Sequence, residues 1–344
     1  MKNRQWLLRT TPTAQLTPDH FEMVEQDIAT PTLKDGEIFV KHQIFLCAPA
    51  MRGWMSPDRP SHVPAINPGD PIISLGGAKV LQSAHPDYPV GANIYCIGTW
   101  ADYQVIVPEQ ADARIIPANL SLLEGIGVYN VNMMTAYCGL IYVGQPKAGE
   151  TLVVSGAAGS VGSAAVQIGK IKGMRVIGIA GGPEKCGWVQ DDYGADAVID
   201  YKSENVGARL AALCPDGVNV FFDNVGGDIL QAAIDNIAMF GRVVLCGQIS
   251  GYDVAAPAPG PRDMMQLIYG AVRMEGFILP YFAERYGEML ADLRQWVDSG
   301  QIRHREDVRQ GFENIPAIYA ALFHGENKGT LLALVDEEAL NKPG

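Results

Sequence analysis

A chain of 344 residues is long for one hydrophobic core, so two domains are expected. With 48% hydrophobic and 19% charged residues it has the composition of a folded, soluble protein, and its formal net charge of −12 argues against nucleic acid or an anionic membrane as the main partner. The first ten residues, MKNRQWLLRT, lack the apolar core of a signal peptide, no run of about 18 apolar residues occurs, and the six cysteines are scattered without a C-x-x-C pair. A cytoplasmic protein with reduced thiols and no membrane span is therefore expected.

Up to about residue 125 the chain carries short β-type runs broken by proline and glycine: EIFVKHQIFL (37–46), VGANIYCIG (90–98) and ADYQVIV (101–107). They predict an antiparallel or barrel-like domain. SPDRPSHVPAINPGDP (56–71) is too rich in proline for a helix or a central strand and is read as an ordered loop. From about 128 the pattern alternates. TLVVS (151–155) is a buried strand, and VGSAAVQIGKIKG (161–173) a helix with Val161, Ala164, Ala165, Ile168 and Ile171 on one face and Gly173 as its C-cap. RVIGIA (175–180) is the next strand and a helix begins at Glu184; AVID (197–200), VNVFFD (218–223), RVVLCG (242–247) and EGFIL (275–279) add four strands. This alternation implies an α/β, doubly wound parallel sheet. A helix over 284–299 ends at Gly300, and the β-type run KGTLLALV (328–335) matches the N-terminal part in composition.

Between strand 151–155 and the helix after it stand Gly156, Gly159 and Gly162. Against G-x-G-x-x-G the last two glycines match, and Ala157 takes the first position. In this context a dinucleotide's pyrophosphate would rest on the N–H groups of the helix N-terminus. The alternative is a tight turn that serves packing alone. An NAD site places an acid at the tip of the second strand, about twenty residues on, but here that strand ends in Ala180-Gly181-Gly182. Without a carboxylate to repel a ribose 2′-phosphate, NADP is favoured. Gly181 and Gly182 leave backbone donors open, Lys185 offers an ammonium, and Tyr201 offers a hydroxyl or a ring face. The alternative for Lys185 is a solvated lysine in a first helical turn. The six histidines and six cysteines show no metal-ligand spacing, so no metal is expected.

Ten stretches, APAMRGWM (48–55), TAY (135–137), SGAAGSVG (155–162), GGPEK (181–185), IDYK (199–202), FDNVGG (222–227), LCGQISGY (245–252), RMEGFIL (273–279), GFENIP (311–316) and GENKG (325–329), together resemble the zinc-independent medium-chain dehydrogenase/reductase superfamily. The resemblance is to its group of prostaglandin reductases, alkenal double-bond reductases and curcumin reductases. It implies a GroES-like catalytic domain (1–127, completed by 301–344), a Rossmann NADP-binding domain (128–300) and a homodimer. It further implies that Ala158, Gly159, Ser160 and Val161 cradle the pyrophosphate, and that Gly181, Lys185 and Tyr201 flank the 2′-phosphate and adenosine. Asn224 and the segment holding Cys246, Gly247, Ile249 and Ser250 would line the cofactor groove. Phe277, Ile278 and Leu279 would approach the nicotinamide, and Asn327 would reach the cofactor from the C-terminal part. Ala50, Arg52, Asn130, Asn132 and Tyr252 would line the substrate pocket.

The implied chemistry is reduction, by NADPH, of the C=C bond of a small conjugated aldehyde or ketone. Hydride accepted at the β-carbon leaves an enolate, which needs positioning and a hydrogen-bond donor rather than a metal. Tyr252 is the candidate donor; water, the nicotinamide 2′-ribose hydroxyl and a merely packed loop tyrosine are the alternatives. Two departures bear on the substrate. The group's D-P-Y-M-R is Ala48-Pro49-Ala50-Met51-Arg52 here, and its G-M-P-G-M-T-A-Y is Asn130 to Tyr137 with the glycines and proline gone. A wider, more polar pocket is expected. A quinone or carbonyl reductase, or an NADPH-binding protein of low turnover, remain as the competing readings.

Overall fold

The computed structural model describes residues 1–58, 61, 63–128, 130–254 and 260–342. It comprises two compact units: Met1–Val128 with Asp253–Ala255 and Glu306–Gly344, and Tyr129–Tyr252 with Ala256–Arg305.

In the first unit β1 (Lys2–Leu8) and β2 (Phe21–Asp27) form an antiparallel pair. Their sequences, KNRQWLL, mostly half-buried, and FEMVEQD, mostly exposed, are rich in polar residues, so they carry little strand signal. β3 (Ile38–Leu46) follows, then the single turn α1 (Met51–Trp54), β4 (Ile73–Ser83), β5 (Asn93–Thr99), β6 (Tyr103–Ile106), β7 (Arg114–Ile115) and α2 (Leu122–Val128). The run expected from 90 begins only at Asn93, because Gly91, at φ +88, turns the chain. In the proline-rich loop, 59, 60 and 62 lie outside the described residues; the rest of 56–71 holds no helix or strand.

The second unit runs α3 (Val131–Cys138), β8 (Thr151–Ser155), α4 (Ser160–Ile171), β9 (Arg175–Ala180), α5 (Pro183–Gly187), β10 (Ala197–Asp200), α6 (Val206–Leu213), β11 (Val218–Asp223), α7 (Gly227–Asp235), β12 (Ile237–Leu245), α8 (Met265–Tyr269), β13 (Arg273–Gly276) and α9 (Tyr286–Asp298). Its six strands are parallel, in the order β10-β9-β8-β11-β12-β13. Two strands differ from expectation. β12 starts at Ile237 rather than 242, and β13 ends at Gly276, where it pairs with the last residue of β12, Leu245, so 277–279 lie beyond the sheet. The helix expected from Glu184 opens at Pro183 and continues past α5 as a π-helical turn over Trp188–Asp192.

Both faces of this sheet are covered, which is why its strands read as continuous apolar runs. Val153, Ile177, Ile179, Ile199 and Phe221 pack on one side. Leu152, Val154, Val176, Val220 and Phe222 pack on the other, beneath Ala164, Ala165 and Ile168 of α4. α4 leaves β8 so tightly that a Cβ on Gly162 would stand 2.2 Å from the Gly156 carbonyl oxygen.

The chain then returns to the first unit as β14 (Glu306–Gln310), α10 (Ile315–Ala321) and β15 (Thr330–Leu334). The order is β14-β15-β3-β4-β5-β7, with β6 also on β3, and every pair is antiparallel except β14 with β15. β15 pairs with β3, so the C-terminal β-type run completes the N-terminal sheet.

The Gly162 approach has a measurable consequence. Gly162→Ala sets a methyl against backbone that has no side chain to move aside, and should destabilise the second unit by about 3 kcal/mol. The check is a urea titration followed by circular dichroism; a midpoint equal to wild type would refute the close-approach argument.

Candidate active site

Strand order in the second unit runs outward from β8 through β9 to β10 and, on the other side, from β11 through β12 to β13. The order therefore reverses between β8 and β11, and a crevice forms beyond the carboxyl ends of strands at such a point. Asp223, at the end of β11, is 1% exposed. Its Oδ1 accepts the Ser155 hydroxyl from the end of β8 (2.8 Å) and the N–H groups of Val225 and Gly226 (both 3.0 Å). Asn224 adds two bonds to the same strand end: its N–H donates to Ser155 Oγ (2.8 Å) and its Nδ2 to the Ser155 carbonyl (2.7 Å). Asn224 is thus at the crevice with its backbone N–H and one hydrogen of its side-chain amide engaged. Asp223 and Ser155, which set its position, were passed over in the sequence, although FDNVGG contains the acid.

The glycine turn lies on the β8 side. Gly156 is at φ +60, and the Gly159 N–H donates back to its carbonyl (2.9 Å). Ala158 is buried, whereas Gly159, Ser160 and Val161 are partly exposed at the start of α4. The turn is therefore partly open to solvent where a helix presents its first N–H groups. Asn132 and Asn130 sit beside it. Asn132 Nδ2 donates to Ser160 Oγ (3.0 Å). Asn130 is fully buried, and its Oδ1 caps α3 by accepting from the N–H groups of Asn132 (2.7 Å) and Met133 (3.2 Å). Asn130 is thus a helix cap, and Asn132, partly exposed, faces the glycine turn. An asparagine directly before an apolar helical run is the N-cap signal that sequence reading could have used.

At the β9 and β10 ends, Gly181 lies under the Tyr201 ring, where a Cβ would come within 2.7 Å of Tyr201 Cε1. Tyr201 is 48% exposed, and Lys185 follows on α5, half-buried. The Gly182 N–H is not open as expected: it donates to Asp200 Oδ1 (2.8 Å), which also accepts from the Lys202 N–H (3.0 Å). The Gly182 N–H, then that of Lys202, holds the Asp200 carboxyl below the usual carboxylate range. No acid stands at the tip of β9, but its neighbour supplies one to the loop.

Beyond β12, the Cys246 and Gly247 N–H groups both donate to the Asp223 carbonyl (2.9 and 3.0 Å). Burial pushes the Cys246 thiol well up. Ile249 donates its N–H to the Asn224 carbonyl (3.2 Å), and Ser250 donates both N–H and hydroxyl to the Val225 carbonyl. This loop ends at Tyr252, whose hydroxyl oxygen accepts the Gln248 N–H (3.3 Å) and stands 3.4 Å from where a Gly247 Cβ would be. After β13, Phe277 packs edge-on to Phe282 and fills the space left by Gly139, Ile278 is half-buried, and Leu279, 6% exposed, belongs to the core. An approach of the Leu279 side chain to a ligand is not what the fold provides.

Three expected residues lie in the first unit. Ala50 is exposed just before α1, and Asn327 donates from Nδ2 to the Gly329 carbonyl (2.8 Å). Arg52 is 1% exposed. Its guanidinium donates to Ser56 Oγ (2.8 Å), the carbonyls of Pro12 (2.9 Å) and Ala14 (3.0 Å), and Asp253 Oδ1 (3.2 Å). A buried cation needs such partners, and its donors are directed to them. Among the described residues, no three His, Cys, Asp or Glu side chains converge so that they could hold a metal ion, and no helix is long and apolar enough to cross a membrane.

Two family models match the chain, one described as zinc-binding dehydrogenase over residues 160–295 and one as the N-terminal domain of oxidoreductase over residues 4–113. The zinc in the first description has no matching ligand set among the described residues. The chain is 35% identical over 341 residues to an NADPH-dependent curcumin reductase of Escherichia coli, covering 97% of each protein. It is 34% identical to a 2-alkenal reductase (NADP(+)-dependent) of Nicotiana tabacum, covering 88% of each. The crystal structure of CurA from Vibrio vulnificus in complex with NADPH superposes with a TM-score of 0.89 at 35% identity, over 97% of this chain and 99% of that one. With its parallel sheet in one unit and its largely antiparallel sheet in the other, the chain belongs to the zinc-independent medium-chain dehydrogenase/reductase superfamily, in the group of curcumin and alkenal reductases.

Proposed function

We propose that the protein is an NADPH-dependent reductase of carbon–carbon double bonds conjugated to an aldehyde or ketone. The observation that carries this reading is the likeness, over 97% of both chains, to an NADPH-dependent curcumin reductase. The geometry of the second unit supports it, because Gly159, Ser160 and Val161 are partly exposed at the N-terminus of α4, the end of a helix that suits a diphosphate. When bound, NADPH supplies a hydride to the β-carbon of the conjugated carbonyl compound. Ala158 to Val161 hold the diphosphate, while Gly181, Lys185 and Tyr201 receive the 2′-phosphate and adenosine. Asn224, fixed on Ser155, walls the groove together with Cys246, Gly247, Ile249 and Ser250, and Phe277 and Ile278 lie beyond the sheet end. Tyr252 donates a hydrogen bond to the oxygen on which negative charge develops; the Gln248 N–H on its own oxygen polarises the hydroxyl toward donation.

The protein acts as a homodimer in the cytoplasm. All six cysteines are free thiols, as a reducing compartment keeps them. The edge of the six-stranded sheet supports the dimer. There the Phe240 N–H donates to the Gly270 carbonyl (2.6 Å), which groups Met239 (67% exposed), Phe240 (69%), Ile268 (68%) and Tyr269 (76%) beside edge strand β13. Phe240 also holds φ +58, a conformation that a non-glycine residue adopts at a cost. An exposed apolar group of this kind suits a twofold interface.

Following NADPH absorbance with enals, enones, quinones and saturated ketones tests the reaction. Enals and enones should be turned over, and exclusive turnover of quinones or saturated ketones would overturn the reading. In the same assay Tyr252→Phe should lower kcat by roughly 10²-fold or more, and an unchanged kcat removes the donor assignment. Lys185→Ala should weaken NADPH by about tenfold while leaving NADH nearly unaffected; equal losses in a fluorescence titration would refute the 2′-phosphate role. Sedimentation should show a dimer that Phe240→Asp with Tyr269→Asp converts to monomer, and a monomeric wild type would sink the interface.

A further inference from the structure

Gly139 follows α3 and opens a π-helical turn, Gly139–Gly144. Its backbone is ordinary right-handed helix, at φ −63 and ψ −42, so no conformation there calls for glycine. Glycine is a poor residue inside a helical run, where alanine is the better former. The position demands glycine for space instead. A Cβ on it would stand 2.4 Å from Phe277 Cζ, 2.7 Å from Phe277 Cε1 and 2.8 Å from Phe222 Cε2. The Phe277 ring therefore lies in a notch in the helical backbone, beside Phe222 of β11. Two further rings back it. Phe282 meets Phe277 edge-on (centroids 6.5 Å apart, planes at 78°) and stacks on Tyr142 of the π-helical turn (5.4 Å, 12°). The Arg285 guanidinium lies over the Tyr142 ring at 4.7 Å.

We propose that Gly139 is a positioning residue for hydride transfer, acting through Phe277: the notch takes that ring inward and so fixes the backbone of Phe277 and Ile278, just beyond the end of β13, where the nicotinamide is expected. This rests on the NADP reading above and adds to it the device that sets the depth of the reacting end of the site. Hydride transfer depends on the separation and alignment of donor and acceptor, so a misplacement of about 1 Å can cost on the order of 100-fold in rate. A methyl at position 139 pushes the Phe277 ring out of the notch. With Phe282 behind the ring, a rotation of the side chain alone does not absorb the push, and the main chain moves with it.

The test pairs steady-state reduction of cinnamaldehyde by NADPH with a fluorescence titration by adenosine 2′-monophosphate, which has the 2′-phosphate but no nicotinamide. Gly139→Ala should lower kcat by about 10- to 100-fold and leave the affinity for adenosine 2′-monophosphate unchanged. Phe277→Leu shortens the side chain that meets the new methyl. The double variant should therefore turn over faster than Gly139→Ala alone, and within about threefold of Phe277→Leu. Phe282→Leu removes the ring behind Phe277 and leaves the notch intact; it should lower kcat by about 3- to 10-fold, and it carries the test if Gly139→Ala does not fold. Wild-type kcat in Gly139→Ala or in Phe282→Leu, losses that multiply in the double variant, or an equal loss of affinity for adenosine 2′-monophosphate would each overturn the proposal. A wild-type protein that bound neither NADPH nor adenosine 2′-monophosphate would overturn the NADP reading along with it.

Discussion

The carboxyl group of Asp223 accepts the Ser155 hydroxyl across the point where strand order reverses, together with the N–H groups that follow it at Val225 and Gly226. Burial pushes its pKa up, and the Gly226, Val225 and Ser155 bonds act against that shift. A carboxylate in such a place is tolerable only because its oxygens are occupied, so the turn that supplies the N–H groups must be of fixed shape. Gly226 and Gly227, at φ +74 and +60, give the chain that shape. The rest follows in order. Asn224 is pinned to β8, the Cys246 and Gly247 N–H groups find the Asp223 carbonyl, and the next segment hangs on Asn224 and Val225 down to Tyr252. The candidate proton donor thus depends on a buried bond between two strands it does not belong to.

Much of this architecture was legible because it rests on local rules. The apolar runs at 151–155, 175–180, 197–200 and 218–223 have the strand boundaries read from the sequence; all but the edge strand 197–200 are largely buried. The glycine turn was legible for the same reason: Gly162 is demanded by a backbone approach between a strand and the helix that immediately follows it. β1 and β2 were not, because their residues are mostly polar and their pairing joins segments separated by a long loop. The end of β13 was also misplaced. EGFIL is apolar throughout, and only its pairing with β12 shows that the sheet stops at Gly276 and leaves Phe277 and Leu279 to pack elsewhere.

Site residues were harder where one residue type can serve two purposes. Arg52 in a motif beside a presumed pocket reads as a ligand contact, but the carbonyls of Pro12 and Ala14 lie 40 and 38 residues away in sequence, and nothing local announces them. A guanidinium with those partners orders a loop. Asn130 and Asn132 suggested a more polar pocket because they stand where relatives were expected to have glycine and proline. A side chain that can cap a helix is drawn to its own backbone first, and a two-residue spacing then sends the second asparagine to α4.

The tip of β9 shows the same competition in its sharpest form. An acid on that strand would meet a ribose diol, whereas Asp200 on β10 lies one strand over and faces a backbone amide. Its charge is held by the N–H groups of Gly182 and Lys202, and Gly182 is at φ +88, where a side chain would be strained. The carboxylate therefore closes the loop instead of meeting the sugar. With the Gly182 amide committed in this way, an incoming phosphate is left with the Lys185 ammonium and the Tyr201 ring as its proposed partners. The preference for a phosphorylated ribose then follows from where the carboxylate is used, not from the lack of one.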